Sequence, residues 1–225
     1  MCGRYALYGP VSRLREQFDA RIEELDFTPR FNAAPMQWLP VLRQRPTGER
    51  VFHLLRWGLV PSWAKDERIA TKLINARGES LADRPSFRAA YRRRRCIVPV
   101  NGFYEWKAVA GGTQPYFIHA ANDALFGLAG LWERWTRPED GEVVDSFTIV
   151  TTDAAGRMRE LHERMPVILA PQAYATWLDA TTPLERLPPL ITAAPDEALA
   201  VHPVSKAVGS VRNDSEALIA PQSDA

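Results

Sequence analysis

Apolar residues recur at every second position in short runs along most of this chain, the mark of strands buried on one face. Arg4–Tyr8 reads as a first strand. Leu14, Phe18 and Ile22 fall at helical spacing and predict a helix over Val11–Ala20. Leu39–Arg43 and Val51–Leu59 read as a pair of strands around the turn Arg45-Pro46-Thr47-Gly48. Further strands are predicted at Cys96–Val100, Tyr116–His119, Leu125–Trp132, Phe147–Thr152 and Val167–Leu169. Helices are predicted at Ser86–Arg94, Gly156–Glu163, Pro171–Asp179 and Pro183–Leu187, each opening on Ser, Gly or Pro. Strands outnumber helices and no regular β-α-β alternation appears. The pattern predicts an α+β fold, a mainly antiparallel β sheet or barrel core with peripheral helices. With no repeat and no low-complexity linker, residues 1–220 are expected to form a single domain and 221–225 a frayed tail.

Composition narrows the class. The chain has 225 residues, 46% hydrophobic and 24% charged, which is too apolar and aromatic for a disordered chain. No stretch approaches the roughly 20 apolar residues of a membrane span. The start Met-Cys-Gly-Arg-Tyr lacks the basic and apolar regions of a signal peptide. Cys2 and Cys96 are too few for a disulfide framework. His53, His119, His162 and His202 are scattered, so no metal site is expected. A soluble cytoplasmic monomer without cofactor follows as the expectation. The net charge of +1 hides an asymmetry: residues 1–110 hold 20 Lys and Arg against 11 Asp and Glu, and the remainder is acidic. The basic half is nearly all arginine, which forks onto phosphates. A basic face meeting an anion is one reading, and charge scattered over a solvated surface is the other.

Four segments carry candidate chemistry. Once Met1 is removed, Cys2 presents an α-amine and a thiol on adjacent carbons, titrating near about 8 and about 8.5. Such a pair suits aldehydes: the amine condenses to a Schiff base and the thiolate closes a thiazolidine, which an internal cysteine cannot do. In Asn101-Gly-Phe-Tyr-Glu-Trp-Lys107, alternation puts Phe103 and Glu105 on one face and Tyr104 and Trp106 on the other. A buried Glu105 would have a raised pKa suited to proton shuttling, and a Glu105 on the solvent face would be inert. In Glu160-Leu-His-Glu-Arg-Met-Pro166, His162 and Arg164 precede a proline that ends the helix, so His162 either faces a cleft or is a structural histidine. In Leu73-Ile-Asn-Ala-Arg-Gly-Glu79, Asn75 and Arg77 share a face if the segment is extended, able to orient an amine and hold a phosphate. Arg92–Arg95 is read as a solvated helix end. Trp57 and Trp63 bracket Gly58–Ser62 as core residues or as a stacking surface for bases.

Together and in this order, these segments resemble the SOS response-associated peptidase (SRAP) family, which includes a vertebrate sensor of abasic sites in DNA. The matching segments are Met1-Cys-Gly-Arg-Tyr5, Arg30-Phe-Asn-Ala-Ala-Pro35, Trp57-Gly-Leu-Val-Pro-Ser-Trp-Ala-Lys-Asp66 and Ile74-Asn-Ala-Arg-Gly-Glu79. They continue through Arg94–Lys107, Ala129–Trp132, Phe147–Thr152, His162–Leu169 and Val204–Asn213, covering nearly the whole chain. The resemblance implies binding of single-stranded DNA and capture of a ring-opened abasic aldehyde as a thiazolidine on the N-terminal cysteine. By motif, Cys2 is the nucleophile, Glu105 shuttles protons and assists release of Met1, and His162 helps open the sugar ring or protonates its hydroxyl. Asn75 holds the α-amine, and Arg4, Arg77 and Arg164 grip phosphates. Trp63 and Pro35 wedge or stack where the DNA bends, and Thr151 lines the pocket. One position departs from the pattern: Asn101 stands where the family usually has an acidic residue.

Two other readings remain open at this point. The start also resembles N-terminal-nucleophile glutamine amidotransferases, in which a thiol hydrolyses an amide and Asn101-Gly102 would mimic the oxyanion donors. A cysteine peptidase acting on other proteins is a variant of the same idea. A non-covalent reader of modified DNA would use the same arginines and aromatics and would tolerate a blocked N-terminus.

Overall fold

A computed structural model describes residues 2–22 and 25–222. In chain order the elements are β1 (Tyr5–Leu7), α1 (Val11–Phe18), β2 (Arg30–Ala33), β3 (Trp38–Gln44), β4 (Arg50–Trp57) and β5 (Asn75–Arg77). Next come α2 (Arg88–Arg93), β6 (Arg95–Val100), β7 (Gly102–Val109), β8 (Gly112–Ala120), β9 (Phe126–Thr136) and β10 (Val143–Asp153). The chain closes with β11 (Arg164–Pro166), β12 (Ile168–Leu169), α3 (Tyr174–Leu178) and β13 (Leu199–Pro203). The fold is α+β, as the alternation predicted: two largely antiparallel sheets with short helices at the periphery.

One sheet runs β13-β8-β7-β1-β2. The other runs β11-β10-β4-β3-β6-β9-β12, and β10 also pairs with β9, closing a barrel of β10, β4, β3, β6 and β9. Strand β5 adds to β10 in parallel, with Asn75 opposite Ile149 and Arg77 opposite Thr151. The main core draws on both sheets, with Phe103 and Ile118 from one and Leu39, Leu55, Leu128 and Ile149 from the other. Burial of these aliphatic and aromatic side chains supplies the driving force, at about 1.5–3 kcal/mol each. Tyr5 and Trp57 rings lie 5.0 Å apart, joining the first strand to the barrel wall.

Strand β7 has two covered faces. Phe103 packs into the main core, while Tyr104 and Trp106 face a second cluster with Ala6, Phe117, Val204, Val208 and Leu218. Gly102 is needed for this fit, because a Cβ there would lie 2.5 Å from the Ile118 carbonyl oxygen on β8. The C-terminal segment that supplies Val208 is tied to β2. The Asn32 amide lies within hydrogen-bond distance of the carbonyls of Val208, Ser210 and Asn213 at 3.1, 3.0 and 2.9 Å. The Asp214 carboxylate accepts the backbone N–H groups of Phe31 and Asn32.

Several elements differ from the pattern's expectation. Helix α1 ends at Phe18 because Asp19 turns left-handed (φ 46°) and its N–H bonds Arg15 O, so Ile22 lies outside the helix. The expected helix Gly156–Glu163 is a 3-10 turn over Gly156–Glu160, and Pro183–Leu187 shrinks to Leu184–Arg186. Arg95 is not a solvated helix end: it is 2% exposed at the start of β6. Its guanidinium donates to the carbonyls of Tyr91, Arg92, Trp177 and Asp179. At the expected tail, the Gln222 N–H bonds Pro203 O at 2.9 Å, so residues 221–222 return to β13, and 223–225 lie outside the described residues.

Candidate active site

Pairing of β1 with β7 brings the chain start to Glu105. Tyr5 sits opposite Phe103, and the Tyr104 N–H donates to Arg4 O at 3.0 Å. Cys2 is fully buried, and its carbonyl accepts a hydrogen bond from the Asn75 side-chain amide at 2.9 Å. Asn75 is held there by its strand: the Ile149 N–H on β10 donates to Ile74 O. Thus β7, β5 and the segment before β1 meet at one point.

Glu105 is 2% exposed. Burial pushes its pKa from the usual carboxylate range to about 7, with the positive amino terminus pulling the other way. At neutral pH this carboxyl is poised between acid and base. The Cys2 thiol is pushed far up, first by burial and then by the negative charge of Glu105. The thiol is therefore held protonated beside a group able to take its proton.

His162 follows the 3-10 turn, anchored by its N–H to Met158 O at 3.0 Å. Burial, then the amino-terminal charge, holds its pKa below the usual range. The Arg164 backbone N–H donates to His162 Nδ1 at 2.9 Å. Nδ1 is thus an acceptor, and the neutral ring carries its proton on Nε2.

The arginines have different surroundings. Arg4 is half-buried and donates to Val208 O at 3.1 Å, so the C-terminal segment orients it. Arg77 is exposed on β5. Arg164 is 7% exposed, and its guanidinium is bound by both Glu79 oxygens (3.1 and 2.8 Å), by Asp153 and by Thr151 O. It braces β10 against β11. Thr151 is fully buried where these strands meet. Pro35 lies half-buried in the turn between β2 and β3, and Trp63 is 57% exposed in the loop after β4.

The side chain of Asn101 is committed elsewhere: its oxygen accepts the Tyr8 N–H at 2.8 Å. The departure at this position therefore concerns the end of β1. Sequence reasoning missed Asn32, Glu79 and Asp153 as partners of the site arginines and their supporting segments. Asn32 lies within the segment Arg30–Pro35, where a single amide between apolar neighbours in a strand was the available signal. Among the described residues no group of three His, Cys, Asp or Glu stands close enough to hold a metal ion. No described helix is long and apolar enough to cross a membrane.

Comparison with known families decides the relationship. The family model for SOS response associated peptidase (SRAP) matches residues 1–211. The chain belongs to the SRAP family. This SRAP chain is 39% identical over 223 residues to the abasic site processing protein YoqW of Bacillus subtilis (strain 168), spanning 97% of this chain and 99% of that protein. It is 34% identical over 263 residues to the abasic site processing protein HMCES of Gallus gallus, spanning 98% of this chain and 78% of that protein. A solved structure from Bordetella bronchiseptica matches this SRAP chain with TM-score 0.80 and 29% identity, over 91% of this chain and 100% of that one. A Bacteroides thetaiotaomicron structure matches with TM-score 0.89 over 98% of this chain and 100% of that chain, and its 21% identity speaks to the SRAP fold alone.

Proposed function

We propose that this chain processes abasic sites: it binds single-stranded DNA and captures the ring-opened abasic aldehyde as a thiazolidine on Cys2 after Met1 is removed. The observation that carries this reading is the meeting of Cys2, held through its carbonyl by Asn75, with a buried Glu105 whose pKa is about 7. The names of the relatives support the substrate class.

The chemistry balances without a cofactor. The α-amine adds to the aldehyde carbon, forming a C–N bond and a carbinolamine. Loss of water leaves the imine. The Cys2 thiol passes its proton to Glu105, sulfur bonds to the imine carbon, and the ring nitrogen takes up a proton. The net change is loss of one water. Asn75 orients the reacting residue through its carbonyl, and Glu105 carries protons between steps. Of the two roles open to His162, opening the ring or protonating its hydroxyl, both narrow to donation from Nε2–H to a sugar oxygen, because Nδ1 is occupied. Arg4 and Arg77 hold phosphates. Arg164 reaches one only by exchanging Glu79 or Asp153.

The test is intact mass before and after incubation with an abasic oligonucleotide. The expected species lacks Met1, and its adduct weighs the sum of both components less one water. Retention of Met1 with no adduct, or an adduct that persists in Cys2→Ala, would defeat the mechanism.

A further inference from the structure

Among the described residues six large apolar side chains are exposed, and three of them, Met36, Trp38 and Trp63, border one stretch of surface. Two contacts join them. A Cβ on Gly58 would collide with both the Met36 methyl and the Ala70 carbonyl oxygen, so Met36 and the 3-10 helix Glu67–Lys72 close over the same glycine. Trp38 sits directly opposite Arg56, so their side chains share a face, and Arg56 pairs with Glu67 of that 3-10 helix at 2.8 Å. Trp63 shares a groove of about 710 Å³ with Ile69, Lys65 and Lys72. The 3-10 helix then runs through Leu73 and Ile74 into Asn75, whose side chain holds the Cys2 carbonyl.

Met36 has a constrained backbone. Its φ is 73°, a left-handed conformation that side-chain-bearing residues rarely adopt and that clusters at functional sites. Its N–H donates to Trp57 O at 2.8 Å, and Gln37 O accepts the Trp57 N–H at 3.0 Å. The turn is therefore pinned to β4, with the Met36 side chain laid over Gly58 and partly exposed, and the Trp38 indole exposed two residues on.

We propose that Met36 and Trp38 form a second stacking platform, continuous with Trp63, for the unpaired nucleobases of the DNA strand that flanks the lesion. This rests on the abasic-site reading and specifies how far along the strand recognition extends. Flat aromatic surface suits every base, and Lys65 and Lys72, which have no acid partner among the described residues, complement phosphates. A protein partner fits poorly, since interface centres are depleted in lysine and Lys65 and Lys72 line the groove beside Trp63.

The probe is a single-stranded oligonucleotide carrying a tetrahydrofuran abasic analogue, which cannot form the covalent adduct, with 2-aminopurine placed at successive positions on either side. Trp38→Ala should weaken binding about five- to a hundredfold and remove quenching at a position that Trp63→Ala leaves quenched. Its salt dependence should match wild type, because no phosphate contact is lost. Trp38→Phe should restore most of the affinity. Met36→Gly suits the left-handed backbone, so it should keep the thermal midpoint while lowering affinity. Wild-type affinity in Trp38→Ala overturns the platform alone, as does quenching seen only when that flank is duplex. Failure of the wild-type chain to bind the oligonucleotide at low salt overturns the abasic-site reading and the platform together.

Discussion

Cys2 and Cys96 are both fully buried, and burial drives both thiols far above their usual range. Their neighbours differ. Cys96 lies inside β6, its carbonyl taken by the Trp177 indole at 2.8 Å, and Arg43 is the charge its thiol feels. Cys2 has Glu105 as its charged neighbour and Asn75 on its carbonyl. Burial alone makes a thiol inert. Burial beside a carboxyl that titrates near neutrality gives the proton somewhere to go, and on the proposed mechanism this local acceptor separates Cys2 from the core Cys96.

The sharpest way to break that contrast is substitution at each cysteine. Cys2→Ala should abolish the denaturation-resistant adduct with abasic DNA. Cys96→Ala should keep it at the wild-type level, losing about 1 kcal/mol of stability. Loss of adduct in a folded Cys96→Ala chain would erase the distinction. Next in size, Glu105→Gln should slow single-turnover capture by about 10²–10⁴ and flatten the rate profile around pH 7. An unchanged rate would remove Glu105 from proton transfer.

The same carboxyl predicts a stability profile. Its folded pKa of about 7 lies above the usual carboxylate value, so between the two the native state binds the extra proton. The Glu105 contribution to stability should be complete below about pH 4.5, fall by roughly 3 kcal/mol as pH rises to about 7, and level off above. Denaturant titrations of wild type and Glu105→Gln should differ by this decline, and a difference between the two that stays constant through the window would contradict the burial argument. The smallest effect concerns His162. His162→Ala should slow capture about tenfold, and His162→Gln, which retains an N–H donor, should recover part of the loss. Nitrogen chemical shifts of the free protein should report the Nε2–H tautomer.

Period-two alternation made β7 legible before any coordinates: Phe103 and Tyr104 do pack into opposite cores, and Glu105 is buried. Strands β5 and β13 were not legible, being short and stabilised by partners distant in sequence rather than by their own pattern. The arginines show the other limit. Nothing in the sequence says that Arg164 is already bound by Glu79 and Asp153, or that Arg95 is buried under four carbonyls, because a cation's availability depends on what folding brings to it.

Strand β10 pairs with β4, β5, β9 and β11, and through two of these it holds Asn75 and the turn that presents His162. A single strand, with a ladder on each edge, therefore latches both flanks of the chain start. Exchange of amide hydrogens along β5 and β11 should proceed in one correlated opening rather than two. If that outcome holds, solvent reaching one side of Cys2 loosens the other with it, and the chain start is either wholly assembled or wholly open.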